Sequence, residues 1–168
     1  MPAHLVLIGM MGAGKTTTGR ALAARLGWPM RDCDRDLEAR TRRTGAELAA
    51  TEGVEYLHGL EEEILLEALA RDGPLIVTAA GSVVTSERVR WQLAERAIVV
   101  WLDVPLGDLL VRMTSGPHRR RLDRQAAEEL LAHRKAHLAE LADLRLDART
   151  PTDDLVDEIM KWIGPPPA

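Results

Sequence analysis

The residues Gly9-Met10-Met11-Gly12-Ala13-Gly14-Lys15-Thr16 carry the spacing G-x-x-x-x-G-K-[ST] of a phosphate-binding loop. Each residue type has a task in that chemistry. Glycines let successive backbone N–H groups turn inward around a β-phosphate, at the start of a helix whose partial positive charge favours anions. Lys15 reaches the β- and γ-phosphates as a mobile point charge, and the Thr16 hydroxyl is a ligand for Mg²⁺. Gly12, Ala13, Gly14, Lys15, Thr16 and Thr17 are therefore the candidate nucleotide-binding residues. Average residue frequencies give such a match in roughly one random chain of this length in a hundred, so its setting decides. The apolar run His4 to Ile8 precedes it and the helical stretch Thr16 to Leu26 comes after it, which is the confirming arrangement.

Phosphoryl chemistry also needs a carboxylate near the metal, and two candidates compete. Ile98 to Asp103 is an apolar stretch ending in an acid. Asp32-Cys33-Asp34 offers two acids two residues apart, which in extended chain point to the same side of one crevice. One of these would support Mg²⁺ while the other meets an acceptor hydroxyl, or Asp34 simply caps a helix that starts there. A second clue is Arg134, which shares a helical stripe with Leu130, Leu131, Leu138 and Leu141. An arginine on an apolar face either snorkels to the surface or serves a buried anion.

The elements that must position these residues alternate. Apolar runs at His4–Ile8, Leu75–Ala79 and Ala97–Leu102 read as strands, with further short strands expected at Met30–Asp32 and near Leu144–Leu146. Helical patterns fit 34–42, 44–51, 57–71, 86–95, 106–113, 125–141 and 153–163, with breaks expected near Gly45 and Gly53. Buried strands alternating with helices imply a parallel sheet covered on both faces. Residues 114–124 carry Gly, Pro and basic side chains without periodicity, and are expected to form a mobile connection; Gly164 to Ala168 reads as a frayed tail.

Composition sets the outer bounds. The 168 residues are one domain's worth, 46% hydrophobic and 29% charged, which excludes disorder. A net charge of -4 disfavours nucleic acid or a membrane surface as general partners. The single cysteine, Cys33, makes no intrachain disulfide. With no long apolar run and no leader-like start, a cytoplasmic location is expected. Only Lys15, Lys135 and Lys161 of the 22 basic residues are lysines, so each lysine needs a reason.

From Leu5 to about Ile163 the chain resembles the shikimate kinases. Gly9 to Ala23 is similar to that family's opening, Asp32-Cys33-Asp34 with Leu37-Glu38 to its D-x-D helix start, and Gly53, Glu61 and Glu62 fall where it has G-E-x-x-F-R-x-x-E. Val99 to Asp103 matches a structural strand, which demotes Asp103. The resemblance implies a three-layer α/β fold of P-loop type, with a five-stranded parallel sheet flanked by helices in a single domain over 1–168. It also implies a kinase moving the γ-phosphoryl group of MgATP to a small-molecule hydroxyl, most simply that of shikimate. By the same resemblance Asp32 supports Mg²⁺ and Asp34 binds the acceptor and is the candidate base. Arg112 lies against adenine, and His118 to Arg121 form a lid in which Arg120, beside Arg119, meets the transferred phosphoryl group. His58, Ala80, Gly81 and Arg134 contact the acceptor, Arg134 at the carboxylate-binding position.

The departures from the family pattern fall on the acceptor side. His58 stands where the family has an arginine that pairs with the shikimate carboxylate, and offers fewer donors and less charge. Ala79-Ala80-Gly81 replaces G-G-G, where added Cβ atoms are expected to restrict positive φ and crowd a ligand. Arg120-Arg121-Leu122-Asp123 replaces R-P-L-L. Three readings are open: a shikimate kinase with a rearranged carboxylate clamp, a kinase of the same architecture for another small alcohol such as a polyol, sugar acid or aminocyclitol, and a non-catalytic nucleotide-binding regulator. Oligomeric state is not readable from the sequence.

Overall fold

The computed structural model describes residues 4–113 and 123–164. The predicted lid, with Arg119 and Arg120, and the tail from residue 165 lie outside them. Five strands run parallel: β1 (His4–Ile8), β2 (Met30–Asp32), β3 (Leu75–Thr78), β4 (Ala97–Asp103) and β5 (Leu144–Asp147), in the order β2-β3-β1-β4-β5. The helices are α1 (Lys15–Leu26), α2 (Cys33–Thr41), α3 (Gly45–Thr51), α4 (Val54–Leu69), α5 (Glu87–Arg96), α6 (Leu106–Met113), α7 (Arg124–Leu141) and α8 (Thr152–Ile163), with a short 3₁₀ turn at Gly81–Thr85. This is the expected three-layer α/β architecture.

The apolar runs of β1, β3 and β4 are continuous because these strands are covered on both faces, whereas β2 and β5 at the sheet edges carry polar residues. In β1, Val6 and Ile8 pack with Leu57, Ile64, Leu65 and Leu69 of α4 on one face, while Leu5 and Leu7 pack with Leu22 of α1 and Leu155, Val156 and Ile159 of α8 on the other. Truncating a fully buried member such as Leu65 to alanine costs about 2–5 kcal/mol. Both layers thus hang on the central strand, and the loop leaving that strand is fixed from both sides.

Helix starts and stops obey local chemistry. Thr44 caps α3 through a reciprocal box with Glu47, its hydroxyl accepting from the Glu47 N–H while the Glu47 carboxylate accepts from the Thr44 N–H. The break between α2 and α3 falls on Arg42, a non-glycine residue at φ 57°, and not on Gly45, which is already helical. No helix of the described residues is long and apolar enough to cross a membrane.

Candidate active site

The loop between β1 and α1 is shaped by where it must pass. Gly9 has φ 148°, and a Cβ there would lie 2.6 Å from the Leu102 carbonyl oxygen of β4, so only glycine lets the chain leave the sheet at this point. Gly14, at φ 89°, precedes the first residue of α1. Lys15 folds back over the loop, its Nζ donating to the carbonyl oxygens of Gly9 at 2.7 Å and Met10 at 3.1 Å. The cation of the loop is therefore held against two of the loop's own carbonyls.

At the end of β2, Asp32 serves two elements with its two oxygens. Oδ2 accepts from the Thr16 hydroxyl at 2.8 Å, and Oδ1 accepts from the Asp34 N–H at 3.1 Å as the N-cap of α2. This corrects the extended-chain picture of the two acids. The chain turns helical at Cys33, so Asp32, not Asp34, is the cap, and Asp34 is carried by the first turn of α2 into the cleft. The Thr16 and Asp32 oxygens form a hard donor pair beside the phosphate loop. No cluster of three or more His, Cys, Asp or Glu side chains suited to a metal occurs among the described residues. Magnesium, which retains waters and takes phosphate oxygens with one or two protein groups, fits such a site.

The cleft itself encloses about 260 Å³. Gly12, Ala13, Gly14, Lys15, Thr16 and Thr17 form its nucleotide side; Asp34 from α2, His58 and Glu61 from α4, Ala80, Gly81 and Ser82 after β3, and Arg134 from α7 form the other. Arg134 is only 7% exposed, with Nη1 4.0 Å from the Met10 sulfur, so the arginine on the apolar stripe points inward and does not snorkel. Gly81 makes room for it: a Cβ there would sit 2.9 Å from Arg134 Nη1. Glu61 accepts a short hydrogen bond from the Ser82 hydroxyl. Burial pushes its carboxyl up to about 7; the Ser82 bond opposes this, the Asp34 charge adds to it, and Arg134 and Lys15 oppose it. Next to Asp34, the buried Cys33 thiol is pushed up by desolvation and by Asp34, Asp36 and Asp32, which makes it an inert apolar filler.

Residues 11–164 match the family model for shikimate kinase. The chain belongs to the shikimate kinase family. Among its relatives, the shikimate kinase of Symbiobacterium thermophilum is 38% identical over 165 residues, covering 94% of each chain. That of Thermosynechococcus vestitus is 38% identical over 147 residues, 86% of this chain and 79% of the relative. A shikimate kinase from Acinetobacter baumannii, solved in complex with shikimate, superposes with a TM-score of 0.88 at 30% identity, over 97% of this chain and 93% of that one. Family membership makes the chain a kinase, a nucleotide-binding phosphotransferase of P-loop fold.

Seen as a shikimate kinase family member, the chain brings most of its sequence-predicted site residues into one cleft: Gly12 to Thr17, Asp34, His58, Ala80, Gly81 and Arg134 all line it. Asp32 acts from behind, through Thr16. Arg112 does not line the cleft but reaches the same loop from α6, donating to the carbonyls of Gly12 at 3.4 Å and Ala13 at 3.5 Å, and to that of Ala148 at 3.1 Å. Arg120 and the rest of the predicted lid are outside the described residues. Asp103 is held by Arg145, which also stacks on Trp101 at 4.3 Å, and does not line the cleft. The expected φ restriction at the two alanines is absent. Ala80 sits at φ -64° and ψ 147°, open to any residue, and Ala79 is simply buried in the core. Sequence reasoning did not single out Ser82 or the half-buried setting of Glu61. The signal for Glu61 was available, since it lies on the same face of α4 as Leu57, Ile64, Leu65 and Ala68.

Proposed function

We propose that this chain transfers the γ-phosphoryl group of MgATP to a hydroxyl of shikimate. The observation that carries the reading is a single cleft with a phosphate loop on one wall and Asp34 and Arg134 on the other. The loop amides and Lys15 bind the phosphates; Thr16 and Asp32 hold Mg²⁺, which when bound neutralises charge on the phosphates. Asp34 orients the acceptor hydroxyl and takes its proton as the oxygen bonds to the γ-phosphorus. The bond from phosphorus to the β–γ bridging oxygen breaks and ADP leaves. Arg134 pairs with the acceptor carboxylate. Arg112 borders the nucleotide base, and Arg120 is assigned the charge that develops on the transferred group.

One observation favours a second reading, a different small alcohol as acceptor. Where the family pairs an arginine with the substrate carboxylate, the cleft has His58, and the neighbouring acid Glu61 is engaged by Ser82. ADP release measured with shikimate against a panel of polyols, sugar acids and aminocyclitols separates the two. Saturable turnover of shikimate supports the first, and turnover of another alcohol alone supports the second. Nucleotide binding without acceptor-dependent release overturns both.

A further inference from the structure

Phosphoryl transfer to shikimate leaves Glu61 without a task, although its carboxyl lines the acceptor half of the cleft. The groups around it come from every neighbouring element. Ser82, from the 3₁₀ turn, donates a short hydrogen bond to it. Asp34 and Glu38 of α2 share the same cavity, as do Arg134 of α7, Lys15 of α1 and His58 one turn earlier on α4; α3 contributes only Gly45 and Ala46, which carry no charge. An acceptor bearing a carboxylate therefore enters a cleft with three acids. Lys15 is turned toward the phosphate loop, and among the described residues Arg134 is the arginine that lines the acceptor side. Asp34 must be ionised to take a proton, so among the acids lining the cleft Glu38 and Glu61 are the ones whose charge can be relieved. Glu61 is half-buried and is the acid held in place by Ser82, and desolvation moves its carboxyl into the neutral pH range.

We propose that Glu61, anchored on Ser82, is a specificity-determining residue whose proton sets the charge of the acceptor pocket: a carboxylate-bearing acceptor binds together with one proton, taken from solvent onto the Glu61 carboxylate, and the pocket with Glu61 ionised disfavours it. The proposal rests on the acid-acceptor reading of the cleft. It makes Glu61 a selector for anionic over neutral acceptors near neutral pH, acting on binding and not on the chemical step.

The test is the pH dependence of shikimate KM and kcat from about pH 5.5 to 8.5, at saturating MgATP, in the wild type, Glu61→Gln and Ser82→Ala. In the wild type, KM is expected to be flat at low pH and to rise by about tenfold per pH unit above the Glu61 inflection, as one-proton linkage requires. In Glu61→Gln, which keeps a hydrogen-bonding partner for Ser82, the rise disappears. In Ser82→Ala the inflection moves to higher pH, because the bond that favours the ionised form is gone. A flat wild-type KM, or the same rise in Glu61→Gln, overturns the proposal. If shikimate binds without turnover, the reaction proposed for the cleft fails on its own. Calorimetry of shikimate binding in two buffers of different ionisation enthalpy then decides the role of Glu61. One proton taken up above the inflection by the wild type and none by Glu61→Gln supports it, and equal uptake overturns it. No binding of shikimate at any pH overturns both.

Discussion

The Thr16 hydroxyl donates to Oδ2 of Asp32 at 2.8 Å, and that hydrogen bond fastens the phosphate loop to the start of α2. Because the other oxygen of Asp32 caps α2, the two acids of the D-x-D segment should fail in different ways. Asp32→Ala is expected to destabilise the fold by about 1–2 kcal/mol through the lost cap and to raise the KM for MgATP. Asp34→Asn should leave nucleotide affinity and melting temperature near wild type while lowering kcat by about 10²–10⁴-fold. Thermal melts together with steady-state kinetics in both substrates check the pair. Full activity in Asp34→Asn would remove that residue from the proton transfer.

Lys15 bridges the Gly9 and Met10 carbonyls. Lys15→Ala is expected to lower kcat by at least about 10²–10³-fold, the scale of losing one charged donor at a developing anion. Acceptor-dependent ADP release is the measurement, and retained turnover would sink the phosphotransferase assignment.

Gly81→Ala should act through space and not through backbone strain. The added methyl would meet Arg134 Nη1 at 2.9 Å and the Gly9 carbonyl oxygen at 3.2 Å, so it pushes the guanidinium off its position. The expected outcome is a shikimate KM raised by about tenfold or more, on the scale of one charged hydrogen bond, with kcat changed less. Ala80→Gly serves as the contrast. Ala80 already occupies an unrestricted conformation, so any gain there has to come from room for the ligand.

His58→Arg adds a planar two-pronged donor to the cleft wall, three residues before Glu61. If the acceptor carries a carboxylate, its KM should fall by about tenfold, the scale of one charge-assisted hydrogen bond. A neutral acceptor should gain nothing. Measuring KM for both classes in the same variant distinguishes them.

Glu61 also links stability to pH. Its carboxyl lies at about 7 in the folded chain against an ordinary value of 4.5, so between those values the folded state holds a proton that the unfolded state has released. Stability therefore falls as pH rises through this window, and the penalty is complete above it, up to about 3 kcal/mol. Glu61→Gln should melt close to wild type at about pH 5 and several degrees higher at about pH 8. A temperature difference that does not grow with pH would refute the burial argument.

The order and type of elements were legible because the inner strands β1, β3 and β4, enclosed on both faces, appear as uninterrupted apolar runs, and because the loop Gly9 to Thr16 ties β1 to the helix after it. The details that escaped are those in which one side chain answers to two distant partners. Asp32 as a cap depends on where α2 begins, and its link to Thr16 depends on the packing of β2 beside β3 and α1. The Arg42 break has the same character, since only a packed turn forces a non-glycine residue into the left-handed region. Ser82 carried no periodic signal at all; its importance comes from the contact with Glu61, 21 residues earlier in the chain.

The lining of the cleft also bears on how such a protein can change over generations. Its phosphate-loop wall is one unbroken stretch, Gly12 to Thr17, while the opposite wall is gathered from α2, α3, α4, the turn after β3, and α7. A substitution at position 58, 80 or 82 alters the opposite wall without disturbing the loop, its lysine, or the Thr16–Asp32 link. The lining opposite the loop can thus be exchanged one residue at a time, each step leaving the loop and its anchoring contacts in place.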